Sequence, residues 1–197
     1  MKELYLMRHG ETVFNKRKLI QGAVDSPLTA DGIKMAQKMG AYLKTQGLTF
    51  DHAYTSTQER ASDTLELVTK QPYERLKGLK EWDFGLFEAQ PQYLLPKFTF
   101  KDPAEASFFV PYGGESTQQV MARMQKTLSE IMAHPNHQRV LVVSHGLAMW
   151  MFLANFMSVA EMAEKVKDMP NCCVLRLGYD AGKFTFEQMI DVRNLPE

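Results

Sequence analysis

Leu4-Tyr5-Leu6-Met7-Arg8-His9-Gly10-Glu11-Thr12 lies near the start of the chain, and Val140-Leu141-Val142-Val143-Ser144-His145-Gly146 matches it far downstream. In each, an unbroken apolar run stops abruptly and is followed by a histidine and a glycine. Such a run reads as a strand buried on both faces. Both histidines therefore sit just past the carboxyl end of a predicted strand. In open α/β sheets that edge is where ligands bind.

Outward from these two runs, strands and helices alternate, the pattern of a sheet covered by helices. The first strand is predicted at about 3–7, followed by a polar loop through Asn15 and Gln21-Gly22. Thr29 caps a long helix that ends at Gly47, with Ile33, Ala36, Met39, Gly40 and Leu43 marking its inner face. A short strand is predicted near Ala53-Tyr54. Ser56 and Glu59 have capping-box spacing and open a helix to about Thr69. Another short strand lies near Tyr73–Leu76. Ser116 with Gln119 opens a helix to about Met132, and Ser158 with Glu161 opens a shorter one. Strand 139–143 leads into a buried helix from Gly146. The chain closes on a hairpin, Cys172–Leu177 and Phe184–Ile190, around Asp180-Ala181-Gly182.

Residues from about 82 to 112 lose periodicity. They carry Pro91, Pro96, Pro103 and Pro111 among Tyr93, Phe98, Phe100, Phe108, Phe109 and Tyr112. A long connection of this kind is more often functional than decorative, and this one is expected to fold over the site as a lid. One domain, 1–197, with one insertion is the reading.

The 197 residues are enough for one domain with a sizeable core. Lys plus Arg and Asp plus Glu both total 23, so the net charge is zero. That argues against a broad nucleic-acid or anionic-membrane surface, while leaving room for a small basic pocket. Cys172 and Cys173 are adjacent, with Cα atoms about 3.8 Å apart, too close for an unstrained disulfide. The apolar N-terminal run stops at Arg8, so no secretory leader and a cytoplasmic location are expected. Val140–Met157 is apolar, yet Ser144, His145, Gly146 and Asn155 interrupt it. A strand, a tight turn and a buried helix are expected there rather than a membrane span. Met149, Met151 and Met157 read as core packing. His52 reads as a strand-edge residue. His134 and His137 have metal-like spacing, but Pro135-Asn136 between them marks an exposed turn, and no metal is expected.

Four groups can converge at the ligand edge: Arg8-His9-Gly10, Arg60 in the first turn of a helix, Glu81, and His145-Gly146. Right-handed crossovers return the chain to the same edge after each parallel strand. Two histidines and two arginines suit phosphoryl transfer, whose transition state spreads negative charge over three oxygens. Each guanidinium offers paired hydrogen bonds that lysine cannot match. Backbone N–H groups of the helix starting near Gly146 can add to them. Adjacent arginines disfavour a protonated imidazole, keeping a nitrogen lone pair free to attack phosphorus. A cation in a helix's first turn, as at Arg60, opposes the dipole and calls for an anion nearby. Taken singly, each of these residues has a plain structural reading. Glu81 also has competitors in Asp83 and Glu88.

The ordered series is similar to the histidine phosphatase superfamily, the phosphoglycerate mutase-like group, over nearly the whole chain. It comprises Arg8-His9-Gly10-Glu11-Thr12 with Asn15, Gln21-Gly22, Asp25-Ser26-Pro27-Leu28-Thr29 with Gly32, Thr55-Ser56 through Arg60-Ala61 with Thr64, Glu81 with Phe84-Gly85, Gly113-Gly114-Glu115-Ser116, and Val143-Ser144-His145-Gly146. The resemblance implies a three-layer α/β sandwich with a mostly parallel central sheet. It implies that His9 is the nucleophile and forms a phosphohistidine. Arg8, Arg60 and His145 would bind the phosphoryl group, and Glu81 would act as acid, then base. Asn15, Gln21, Gly22 and Gly146 would border the phosphate or the small phosphorylated substrate. No metal or other cofactor is implied.

Mutases of this group place an Arg-His-Tyr-Gly segment after the acid glutamate to grip a carboxylate. Here Trp82-Asp83-Phe84-Gly85 follows Glu81, an environment that repels a carboxylate. Hydrolysis is therefore expected, with Trp82 and the aromatic insertion lining the leaving-group pocket. A mutase-type phosphotransferase and a non-catalytic phospho-ligand module are the alternatives. Two departures stand out. Ala89 replaces the last glycine of the usual Phe-Gly-x-x-Glu-Gly and is expected to shift the loop that carries Glu81. Asn171-Cys172-Cys173 replaces an Asn-x-Ser-like stretch, leaving the role of that strand end open.

Overall fold

The computed structural model describes residues 1–95 and 105–196. Strands β1 (Lys2–Arg8) and β4 (Arg139–Ser144) lie side by side in parallel, Leu4 against Val140 and Arg8 against Ser144. This register brings the two apolar runs to a common end and sets His9 and His145 next to each other. Leu4, Leu6, Val140 and Val142 face one core, and Tyr5, Met7, Leu141 and Val143 face the other. Two-faced burial explains why neither run alternates with polar residues. Each such buried side chain contributes roughly 1.5–3 kcal/mol.

The sheet has six strands in the order β3-β2-β4-β1-β5-β6, with β2 at His52–Ser56, β3 at Glu74–Leu76, β5 at Val174–Asp180 and β6 at Lys183–Ile190. The first four strands of this order are parallel, and β5 and β6 add an antiparallel hairpin beside β1. Helices α2 (Ala30–Thr45) and α3 (Glu59–Val68) cover one face. Helices α4 (Thr117–Ala133), α5 (Gly146–Leu153) and α6 (Val159–Lys165) cover the other. The result is an α/β sandwich of three layers around a mixed sheet.

The capping boxes at Ser116 and Ser158 form as read, and Thr29 accepts from the Gly32 N–H. Each cap contributes about 1 kcal/mol. The box expected at Ser56 does not form: Gln58 is the N-cap of α3 with no side-chain bond, and the Ser56 hydroxyl turns to His145 instead. The polar stretch after β1 folds into a one-turn helix, α1 (Val13–Lys16), because Thr12 and Asn15 make a reciprocal box. The buried stripe of α2 is Gly32, Ala36, Met39 and Leu43. Ile33 falls one position off that stripe and is 38% exposed.

Segment 82–95 and 105–112 is built of single 3-10 turns: Gly85–Phe87, Gln92–Leu94, Glu105–Ser107 and Val110–Tyr112. Trp82, Phe84, Phe87, Phe108, Phe109 and Tyr112 make a chain of stacked, tilted and edge-on ring contacts. Gly85 lets the segment close on itself. Its φ is +57°, and a Cβ there would sit 2.1 Å from the Tyr112 carbonyl oxygen. Pro96, Phe98, Phe100 and Pro103 of the expected lid lie outside the described residues. Val140–Met157 divides into β4, the turn at His145 and α5. Among the described residues no helix is long and apolar enough to cross a membrane.

Candidate active site

His9 leaves β1 at the carboxyl edge, where its N–H bonds the Ser144 carbonyl at 3.0 Å. The rings of His9 and His145 have centroids 5.2 Å apart. The His9 Nδ1 lies 2.7 Å from the Gly10 carbonyl. A carbonyl only accepts, so Nδ1 carries the proton and the Nε2 lone pair is free. Burial, then Arg60 and Arg8, hold the His9 imidazole well below its usual 6.5, so it is neutral at pH 7. The residue is only 3% exposed.

Arg8 and Arg60 flank this ring. Arg60, with no exposure, gives Nη1 to the Val24 carbonyl and Asp25 Oδ1 at 2.9 Å each, and Nη2 to the Gly22 carbonyl at 3.0 Å. The anion that a cation in this first turn requires is thus Asp25, whose other oxygen caps the Glu59 N–H. Arg8 gives Nη1 to the Met169 carbonyl. Gly146 packs against it, since a Cβ would stand 3.1 Å from Arg8 Nε. Six buried side-chain polar atoms have no partner among the described residues, and three belong to this cluster: Arg8 Nε, Arg60 Nε and His145 Nδ1. Buried donors are otherwise almost always paired, so a concentration of unpaired ones marks a place for an acceptor-rich ligand.

Glu81 sits at the N-terminus of α5. Its Oε1 accepts from the Trp82 N–H at 2.9 Å and the Ala148 N–H at 2.7 Å, and Oε2 from the Leu147 N–H at 3.1 Å. The helix N–H groups read as phosphate donors are therefore engaged by a carboxylate of the protein itself. Oε2, with one partner, keeps a position open for a proton. Neither competitor is free. Glu88 accepts from the N–H groups of Gly22, Ala23, Val24 and Phe84, and Asp83 from that of Gly85.

A cavity of about 830 Å³ opens here. Its polar wall includes Arg8, Asn15, Gln21, Glu81, Asn171 and Lys167, and its apolar wall includes Leu19, Ile20, Phe84, Leu147 and Trp150. Asn15 and Gln21 both line the cavity. The Gln21 amide is already engaged, with Thr12 Oγ1 at 2.6 Å and Ser26 Oγ at 3.0 Å. Two residues read as substrate-binding are placed otherwise. Trp82 is 1% exposed, stacked on Phe84 with its Nε1 donating to the Glu115 carbonyl, so Phe84 and Trp150 supply the aromatic wall. Gly22 faces Glu88 and offers its carbonyl to Arg60 and Gln58.

Several contributors carry no local sequence signal, because their partners are distant in the chain. Arg123 on α4 donates to the carbonyls of Gly78, Lys80 and Glu81 and pairs with Glu115. Gln58 accepts the Glu81 N–H at 2.9 Å and donates to Gly22. Asn171 donates to the His9 carbonyl and to Asn15 Oδ1, both at 3.1 Å. The strand end at 171–173 therefore supports the His9 backbone, joined by the Cys172 N–H on the same carbonyl. The two cysteines pack into opposite cores, and burial pushes both thiols up to about 12. They are unreactive at neutral pH. Pro135 and Asn136 form the exposed turn as read, and His137 just after them is buried. It stacks with His134 and His52 at the far end of the sheet, where its Nδ1 donates to the Ile131 carbonyl.

At the carboxyl edge of its parallel strands this α/β protein thus holds a buried imidazole pair beside guanidinium Nε atoms without a partner among the described residues. The sequence signature of the histidine phosphatase superfamily (branch 1) spans residues 4–192, and the chain belongs to that superfamily. A relative from Proteus mirabilis, named "Probable phosphoglycerate mutase GpmB", is 32% identical over 212 residues, covering 100% of this chain and 96% of the relative. The crystal structure of a phosphoglycerate mutase from Bacillus anthracis superposes with a TM-score of 0.83 at 27% identity, covering 98% of this chain and 94% of that one. The alpha-ribazole phosphatase from Shigella flexneri gives 0.80 at 25% identity, covering 96% of both chains.

Proposed function

We propose that this protein is a phosphomonoesterase that works through a phosphohistidine on His9, without a metal ion, on a small phosphorylated substrate. The observation that carries the reading is the set of unpaired buried atoms, Arg8 Nε, Arg60 Nε and His145 Nδ1, around an imidazole whose free nitrogen is Nε2. In this reading His9 Nε2 attacks phosphorus and the ester P–O bond breaks. Glu81 gives its proton to the departing oxygen. The carboxylate so formed takes a proton from water, which attacks phosphorus, breaks the P–N bond and releases phosphate. The guanidiniums stabilise charge on the equatorial oxygens throughout. The leaving group lies against the apolar wall of Phe84, Leu147 and Trp150, which favours substrates with an apolar or planar part. Segment 82–95 serves as part of a lid, since Gln92 and Leu95 stand at the cavity.

The test is hydrolysis of an aryl phosphate with chelator present, beside His9→Ala. Turnover indifferent to chelator, abolished in His9→Ala, with an acid-labile phosphoryl adduct trapped on the wild type, is expected. Phosphate binding without turnover would replace this reading with a binding module. Interconversion of phosphoglycerates faster than hydrolysis would replace it with a mutase.

A further inference from the structure

Ser56 ends β2, and β2 runs parallel to β4 with Thr55 beside Val143. The register therefore carries Ser56 to the side of Ser144-His145, although 89 positions separate Ser56 from His145 in sequence. Its hydroxyl oxygen lies 2.7 Å from His145 Nε2 and accepts the Gln58 N–H at 3.2 Å. Both Ser56 and His145 are fully buried. The other ring nitrogen, His145 Nδ1, has no partner among the described residues.

Hydrogen-bond accounting separates the two neutral tautomers of His145. Suppose the proton is on Nε2. The ring then donates to Ser56 Oγ, which already accepts from Gln58, and the hydroxyl hydrogen has no other acceptor among the described residues. A bare Nδ1 lone pair is then left in the anion cradle. Suppose instead the proton is on Nδ1. The hydroxyl hydrogen now goes to Nε2, every polar atom of Ser56 is used, and an N–H is left for the ligand. Burial, then Arg60, His9, Arg123 and Arg8, disfavour the charged ring, so the choice is between neutral forms.

We infer that Ser56 is a positioning residue that fixes His145 as the neutral Nδ1–H tautomer, so that the ring donates a hydrogen bond to the substrate phosphoryl group. This deepens the phosphatase reading above and rests on it for the word substrate. The tautomer itself does not depend on turnover. A neutral donor adds no charge beside His9, whose attacking nitrogen must stay unprotonated. It also explains why the capping box at Ser56 is forgone, because a hydroxyl bonded to the Glu59 N–H would be drawn away from the ring.

The experiment is a long-range ¹H–¹⁵N correlation spectrum of the ¹⁵N-histidine-labelled protein, with the His145 signals assigned by their loss in His145→Gln. The wild type is expected to show a protonated, pyrrole-type Nδ1 and a pyridine-type Nε2 at His145. Ser56→Ala is expected to shift the ring toward the Nε2–H form. It should also lower kcat on an aryl phosphate by about tenfold to a hundredfold with little change in KM, and weaken orthovanadate binding. Ser56→Thr, which keeps the hydroxyl, is expected to restore all three. A wild-type ring protonated on Nε2 overturns the inference outright, even if Ser56→Ala fails to fold. So does a Ser56→Ala ring with unchanged tautomer. The Nδ1–H tautomer in a protein that turns over no phosphomonoester would leave Ser56's hold on the ring standing and remove the phosphatase reading instead.

Discussion

Arg123 donates all of its guanidinium hydrogens: Nε and one Nη2 hydrogen to Glu115, and the rest to the carbonyls of Gly78, Lys80 and Glu81. Arg8, on the other side of Glu81, donates Nη1 to a single carbonyl and leaves Nε buried and unpaired. The same side chain is a closed structural buckle in one region and an open receptor in the other. A buried donor without an acceptor costs on the order of 1–3 kcal/mol. In this cluster an acceptor from outside the chain can offset that cost. The identical substitution in both regions then has opposite consequences.

The largest effect is expected at the open end. Arg8→Met should lower kcat/KM on an aryl phosphate by about 10²- to 10³-fold, the usual loss for one preorganised donor. Its folding stability should change by less than about 1 kcal/mol, because little pairing is lost and a partly buried cation with an unpaired Nε is removed. Orthovanadate should raise the Tm of the wild type and not that of this variant. An Arg8→Met protein of full activity would erase the contrast.

Next comes the closed end. Arg123→Met orphans three carbonyls and leaves the Glu115 carboxylate with only the Asp83 N–H, and a loss of about 2–3 kcal/mol is expected from urea unfolding. That figure is set below the range for fully buried pairs because Arg123 is 20% and Glu115 25% exposed. Activity falls as well, since the Glu81 backbone loses its tether. A loss under about 0.5 kcal/mol would show that the buckle is decorative.

Titration sharpens the contrast further. His9 and His145 are held well below 6.5 by burial first and by Arg60 next. The unfolded chain binds protons at both as pH drops through about 6.5, and the folded chain does not. Their contribution to stability is therefore complete above 6.5 and is lost as pH falls below it. His137 is lowered too, by burial, so it adds to the same slope. Urea midpoints taken from about pH 7.5 to about pH 5.5 should fall, and the slope should be shallower in a His9→Gln, His145→Gln double variant. Equal slopes would mean that His137, at the far end of the sheet, governs acid sensitivity.

The residues legible in sequence are those whose partners are local or repeated. The runs at 4–7 and 140–143 declare buried strands by themselves. Ser116-Gln119 and Ser158-Glu161 declare caps because both partners lie within one turn. Histidines at two strand ends give the edge of the site. Ser56 misleads for the same reason: Glu59 offers the right spacing, but a buried histidine 89 residues away is the stronger partner. Trp82 misleads because its neighbours in sequence say nothing of Phe109 and the Glu115 carbonyl, which bury it. Arg123 and Gln58 are invisible because each acts on backbone groups brought near by the fold, and Asn171, though its stretch stands out in the sequence, meets its partners only there.

The smallest effect is expected at Ala89. Its φ is +62°, a left-handed conformation that an L side chain holds at about 1–2 kcal/mol and that glycine adopts freely. The loop closes in spite of this. The Ala89 N–H bonds the Ile20 carbonyl at 2.9 Å, and Glu88 gathers the N–H groups of residues 22–24. Those bonds hold the strained residue in place and keep the Gly22 carbonyl against Arg60. Ala89→Gly removes the strain but gives the unfolded chain more freedom, returning about 0.5–1 kcal/mol. The net expectation is a stabilisation of at most about 1.5 kcal/mol in urea unfolding, with kcat within about twofold of the wild type. Such a result would assign the strain to the scaffold, on Arg123's side of the comparison. A tenfold change in kcat would move Ala89 to the other side, because the strained joint would then be aiming the carbonyls that hold Arg60 beside His9.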